Sequence, residues 1–202
     1  MNILQIIISF AIGVIATIVG TYLLDLSVWK PFKDFRKMGV LKVFRNQKDA
    51  TKSIRKDIEK SSILYVFAMR GESFSSDENE EESLSKQLYN AKIEHKYFIS
   101  SLDNSYLEIR NSELGFDMSD SITQSIKNLK NAQAKNTNIE IKQHKEVVRF
   151  RMILLSHCLY LSFQKAQVPG KKSSVLKIDK NSSMYTSFYT LFDDLWGKYP
   201  LL

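Results

Sequence analysis

Residues 3–24 read ILQIIISFAIGVIATIVGTYLL, and none of these 22 residues is charged. At the helical rise the run covers about 33 Å, enough for a hydrocarbon core of about 30 Å. A segment of this kind is either a transmembrane helix or a secretory signal peptide. A signal peptide needs basic residues ahead of its apolar run, a shorter core, and a small-x-small cleavage site behind it. Nothing basic precedes this run except the terminal amine, and TYLLDLSVW offers no such site. The sequence therefore predicts a single transmembrane helix at 3–24.

Lys30, Lys33, Arg36 and Lys37 follow the run directly. The positive-inside rule then keeps the C-terminal side in the cytoplasm, as in a single-pass inner-membrane protein. Tyr22 and Trp29 suit the interface at that end. Ser9, Gly13, Ala16, Thr17 and Gly20 recur at steps of three and four. Such a small-residue stripe lets helices approach closely in lipid, so a homo-oligomer is expected.

The net charge of +7 is unevenly placed. From Leu26 to Glu72 there are 12 Lys and Arg against 5 Asp and Glu; from Ser73 onward the balance is 17 against 16. The excess lies beside the predicted membrane segment, where each cation is worth about 1 kcal/mol near anionic headgroups. That reading is preferred to nucleic-acid binding by this stretch. Residues 25–45 are read as a basic juxtamembrane linker, and 46–202 as one cytoplasmic α/β domain. The single cysteine, Cys158, rules out an internal disulfide. With His95, His144 and His157 it gives no metal spacing, so neither a metal nor a cofactor is expected. The adjacent His157 and Cys158 are read as structural.

Ala50, Ile54 and Ile58 recur every four residues and predict a helix over Asn46–Lys60. Ile63–Met69 is continuously apolar, as a buried central strand should be. The acidic turn Ser76–Glu82 leads into a helix carrying Leu84, Leu88 and Ala91. Ile93–Ser100 reads as a strand. Asp103 is the expected cap of a helix ending near Leu114, with Gly115 as its stop. Ser119 is expected to cap a further helix bearing Ile122, Ile126, Leu129 and Gln133. Asn136–Asn138 makes a turn. Ile139–Gln143, Val148–Leu155 and Cys158–Phe163 follow as strands, the last two as a hairpin. Pro169–Lys172 is a loop and Val175–Ile178 a short strand. Met184, Phe188, Leu191 and Leu195 mark a closing helix with Trp196. Strands alternating with helices predict a mixed sheet covered on both faces.

This order resembles one half of a phospholipase D superfamily fold over roughly residues 40–199. The local wording carries the resemblance: Met69-Arg70-Gly71 closing a strand, FISSLDNSYLEIRNSELG, SIKNLKNAQ, RFRMILLSHCLYLSF and SSMYTSFYTLFDDLW. Active members carry His-x-Lys with an Asp beyond it, the histidine accepting the phosphoryl group and the lysine binding phosphate. At the matching strand this chain reads Arg149-Phe150-Arg151. A guanidinium stays protonated and cannot be that nucleophile. His144-Lys145 lies upstream at the wrong spacing. No catalytic residue is therefore expected, and the domain should not hydrolyse phosphodiesters by the family's route.

Binding remains open to it. Strand alternation puts Arg149 and Arg151 on one face, and two forked guanidiniums match a phosphate. Arg70, Ser73 and Ser75 follow the first central strand. Asp103, Asn104, Ser105 and Arg110 follow the second and line the same rim, where open α/β sheets hold ligands. The competing reading puts both arginines on a solvent-facing edge, paired with Glu108 or Glu146. Tyr65, Tyr160 and Phe163 suit either base stacking or the core. The architecture is similar to membrane effectors of bacterial antiviral systems, including those of type III CRISPR systems switched on by cyclic oligoadenylates. Three functions are weighed. One is a sensor that binds an anionic nucleotide and alters helix packing in the membrane. Another is a membrane-tethered phosphodiesterase or nuclease. The last is a scaffold that recruits a protein partner.

Overall fold

The computed structural model describes residues 35–71, 74, 84–147 and 149–202. In chain order the elements are β1 (Val40–Phe44), α1 (Gln47–Ile58), β2 (Ile63–Ala68), β3 (Glu94–Ser100), α2 (Ser105–Leu114), α3 (Ser119–Gln133), β4 (Ile139–His144), β5 (Phe150–Leu155), β6 (Cys158–Phe163), β7 (Val175–Asp179) and α4 (Ser183–Lys198). The seven strands form one mixed sheet in the order β1-β7-β6-β5-β2-β3-β4. β2, β3 and β4 run parallel. β5 joins β2 antiparallel, and β6, β7 and β1 continue antiparallel to the edge.

Strand alternation sorts the core into two layers. Leu64, Val66, Tyr97, Ile99, Ile153, Leu155 and Tyr160 face α1, α2 and α3. Tyr65, Phe67, Phe98, Met152, Leu154 and Leu161 face α4. Phe98 shows how dense the second layer is, with Phe67, Phe192, Trp196 and Tyr199 rings around it. Each such buried side chain is worth about 1.5–3 kcal/mol in removed apolar surface. The protein is thus an α/β domain with a mixed sheet and helices on both faces, as its alternating pattern predicts.

Local chemistry explains the element ends. Asn46 caps α1 by accepting from the Asp49 amide at 2.9 Å. Gly115 ends α2 in the left-handed region at φ 73°, where a side chain would be strained. α2 is capped by Asn104, whose Oδ1 accepts from the Tyr106 amide, and not by Asp103. Ser119 opens α3 as its first residue, and the Asp117 carboxylate accepts from its amide at 2.9 Å. Leu88 belongs to a short 3-10 turn, Ser85–Tyr89, which Leu84 precedes, and not to an α-helix reaching Ala91. Gly170–Lys172 also forms a 3-10 turn.

Two boundaries move. The chain divides into Met1–Met38 and Gly39–Leu202. Val40–Phe44, read from sequence within a linker, is a sheet strand paired with β7. A bulge between Val40 and Lys42 shifts its register. That shift sends Val40 into the α4 layer and Phe44 into the other, so strict alternation is broken and the strand signal is weak. β5 starts at Phe150, with Val148 outside the described residues. The predicted transmembrane helix at 3–24 also lies outside them. Among the described residues, no helix is long and apolar enough to cross a membrane.

Candidate functional site

The parallel strands β2, β3 and β4 end on one side of the sheet, where β5 begins and β6 ends. Most of the residues predicted as a site meet there. Gly71 turns the chain after β2 at φ 69°, and a Cβ there would lie 2.8 Å from the Ile99 side chain. Arg70 just before it stacks over the Phe116 ring, 5.7 Å from the centroid. α2 crosses the same end on the α1–α3 face.

Arg110 and Arg149 meet through one carboxylate. Arg110 donates to Glu113 at 2.7 Å, and Arg149 donates to the other oxygen at 2.8 Å. Arg149 therefore pairs with Glu113, and not with Glu108 or Glu146. These bonds hold the Glu113 carboxyl below its ordinary range, the Arg110 hydrogen bond being the main cause. The arginines differ in burial. The Arg110 side chain is 3% exposed and the Arg149 side chain 53%. Arg110 also donates to the carbonyls of Lys165 and Val168. It was predicted as a ligand-binding rim residue; the structure buries it as a clamp on the loop after β6.

Arg151 sits in β5 opposite Ser162 of β6, on the side of the sheet that Ile153 and Leu155 share. The pairing runs one step further, with the Gln164 amide donating to the Arg149 carbonyl at 2.7 Å. Arg149 lies 5.6 Å from the centroid of the Tyr106 ring on α2, which packs on that same side. Arg149 and Arg151 thus share a face, as alternation requires. Tyr106 OH, Gln164 Oε1 and Ser173 Oγ are buried without a hydrogen-bond partner. Buried polar atoms are ordinarily satisfied, and leaving one unmade costs about 1–3 kcal/mol. Tyr106 and Gln164 both adjoin Arg149, which makes this end of the face the candidate place for a polar ligand. The sequence reading did not include Tyr106, Gln164, Ser173 or Glu113. Only Gln164 carried a legible signal, since it keeps the parity of Tyr160 and Ser162.

The remaining predicted residues divide. Asp103 is exposed and pairs with Lys145 while accepting from Ser101. The bond from Lys145, then that from Ser101, lowers its carboxyl. Ser105 is the exposed first residue of α2. Asn104 is buried, donating to Ser100 Oγ and the Glu146 carbonyl. Ser73 lies outside the described residues. Tyr65 stacks on Phe192 in the core and Tyr160 is buried, whereas Phe163 is exposed. His144 is fully buried against the Phe67 and Phe98 rings, in the opposite layer from Arg151. Burial brings its imidazole down to about 4.

Fold and site together define an α/β protein with a seven-strand mixed sheet and a group of arginines and buried polar side chains near its strand ends. The sequence matches no protein-family model and no curated protein. Solved structures are similar at low identity, one of them with a TM-score above 0.5. TrmBL2, an archaeal chromatin protein described as showing a novel mode of DNA binding, aligns with 98% of this chain and 69% of its own. Its identity is 12% and the TM-score 0.51. Nuc from Salmonella typhimurium, a phospholipase D family member, covers 80% of this chain and 97% of its own, at 11% identity and TM-score 0.49. NucT from Helicobacter pylori covers 80% and 98%, at 9% identity and TM-score 0.48.

Proposed function

We propose that the Gly39–Leu202 unit binds an anionic, phosphate-bearing nucleotide at the strand ends beside Arg149, without hydrolysing it. In the full chain this binding alters the packing of the 3–24 helices within a homo-oligomer at the inner membrane. The protein is then a membrane-anchored sensor of antiviral defence, with cyclic oligoadenylates as the ligand class to test first. The reading rests on one observation: Arg149 lies beside the Tyr106 ring and pairs across the sheet with Gln164, and Tyr106 OH and Gln164 Oε1 are buried without a hydrogen-bond partner. Guanidiniums supply a phosphate with paired donors, while the hydroxyl and amide suit sugar or base edges. Arg149-Phe150-Arg151 offers no nucleophile, which disfavours the phosphodiesterase alternative.

The test is a thermal-shift and binding screen of the full chain with mono-, di- and cyclic oligonucleotides and with duplex DNA. Arg151→Ala should weaken binding of the retained nucleotide by about 1.5–3 kcal/mol. The double change with Arg149 should lose less than the sum of the single changes if both hold one phosphate. Added salt should weaken binding by screening those charges. A chain that binds none of the nucleotides, or binds them equally well without both arginines, would leave the scaffold reading ahead. A preference for DNA that both substitutions leave intact would place polyanion binding elsewhere.

A further inference from the structure

The opposite end of the sheet holds a second cluster of polar side chains. Asp57 lies in the last turn of α1, and His157 and Cys158 lie where the β5–β6 turn enters β6. One ligand atom from each lies within 4.8 Å of the other two. Their distance in sequence hides this grouping, because α1 and β6 meet only in the folded sheet. Cys158 is fully buried and Asp57 nearly so, while the His157 side chain is 34% exposed.

The two oxygens of Asp57 are used differently. Oδ2 accepts from the Tyr160 hydroxyl at 2.5 Å and from the Lys177 ammonium at 2.5 Å. It also lies 3.5 Å from Cys158 Sγ. Oδ1 faces His157 Nε2 at 3.6 Å, which is too long for a hydrogen bond. Nε2 is nevertheless buried and has no hydrogen-bond partner. A buried imidazole nitrogen that faces a carboxylate oxygen at this distance without bonding is poorly explained as a direct pair. The separation fits two ligands of one tetrahedral ion, which for zinc distances are about 3.5 Å apart.

We propose that Asp57, His157 and Cys158 bind a zinc-class divalent cation. Asp57 contributes Oδ1, His157 Nε2 and Cys158 Sγ. Water completes the shell on the side that His157 leaves open. Thiol and imidazole donors favour zinc or cobalt over magnesium or calcium, which take oxygen ligands. Lys177 and Tyr160 remain on Oδ2 as outer partners that orient the carboxylate, and Ser53 in turn bonds the Tyr160 hydroxyl at 2.8 Å. Binding converts the Cys158 thiol to thiolate and releases one proton.

Cobalt(II) reports such a site, because a thiolate ligand gives a sulfur-to-cobalt charge-transfer absorption. The full chain, stripped with chelator, should develop that absorption with saturation at one equivalent, and zinc should abolish it. Cys158→Ser should remove the band. Since Cys158 is buried and its replacement can disturb packing, His157→Ala provides the second arm. It should weaken cobalt binding by at least the roughly tenfold that loss of an outer-shell partner brings. Circular dichroism should show its fold unchanged. Absence of the sulfur band in the unaltered chain overturns the proposal. So does equal cobalt affinity in a folded His157→Ala protein.

Discussion

Arg110 and Arg149 share Glu113, yet their loss should have different consequences. Arg110→Ala takes a buried guanidinium from Glu113 and leaves the carbonyls of Lys165 and Val168 without their donor. Removing a buried donor from several acceptors is destabilising. Urea titration should show that loss, with faster amide exchange at residues 165–168. Arg149→Ala removes a half-exposed pair, and such pairs contribute little to stability. It should leave the urea midpoint almost unchanged while weakening nucleotide binding. Equal destabilisation by both would mean that Arg149 is a structural clamp as well. The buried histidines give a pH dependence. Desolvation lowers both His95 and His144, the latter to about 4. Between about 6.5 and 4 the unfolded chain takes up a proton at position 144 that the folded chain refuses. Stability therefore falls with acid through that window, by roughly 3 kcal/mol from His144. His144→Gln should flatten the stability curve there and leave the slope that His95 supplies. An unchanged curve would show that position 144 does not control it.

At the level of elements, legibility followed periodicity. α1, α3 and α4 carry apolar residues at helical spacing, so their type and extent could be read from sequence within a few residues. β2 and β3 are buried and continuously apolar, and were equally legible. β1 was missed because its bulge and exposed Leu41, Lys42 and Val43 erase alternation. The cap of α2 was placed one residue early, since Asp103 and Asn104 have similar capping chemistry and only geometry chooses between them. Asn104 was favoured because its amide also bridges to β3 and to the loop after β4. Asn104→Ala should therefore cost more than the typical ~1 kcal/mol of a surface cap. Asn104→Asp should recover the cap and not the bridges, leaving an intermediate melting temperature. Melting of Asn104→Asp at the parent temperature would show that the bridges contribute nothing. The site was only half legible. Arginine parity along β5 is a sequence property, but Tyr106 comes from an element whose approach depends on tertiary packing.

For the whole molecule, the proposal joins a sheet that recognises phosphate to an apolar segment that spans a bilayer. Reporter fusions after Leu202 should report cytoplasm, and external protease should leave the domain uncut. A periplasmic C-terminus would remove a nucleotide sensor from its ligand and overturn the assignment made from Lys30, Lys33, Arg36 and Lys37. Replacing Gly13 and Gly20 by Leu should weaken crosslinking of the full chain by blocking close approach of helices. Undiminished crosslinking would assign any oligomer to residues beyond the stripe.

The pairing of β1 with β7 has a consequence for synthesis on the ribosome. Among the described residues, the first strand to leave the exit tunnel pairs with the last. Until Val175–Asp179 emerges, β1 has no neighbour and β6 has one unpaired side. Both then present open amide and carbonyl groups, and Leu41 and Val43 lie exposed on one of them even in the finished fold. Unpaired edges of this kind favour association between nascent chains. Translation of the C-terminal segment is thus the step that closes the sheet, and slow decoding there would lengthen the period in which neighbouring polysomal chains can pair with one another.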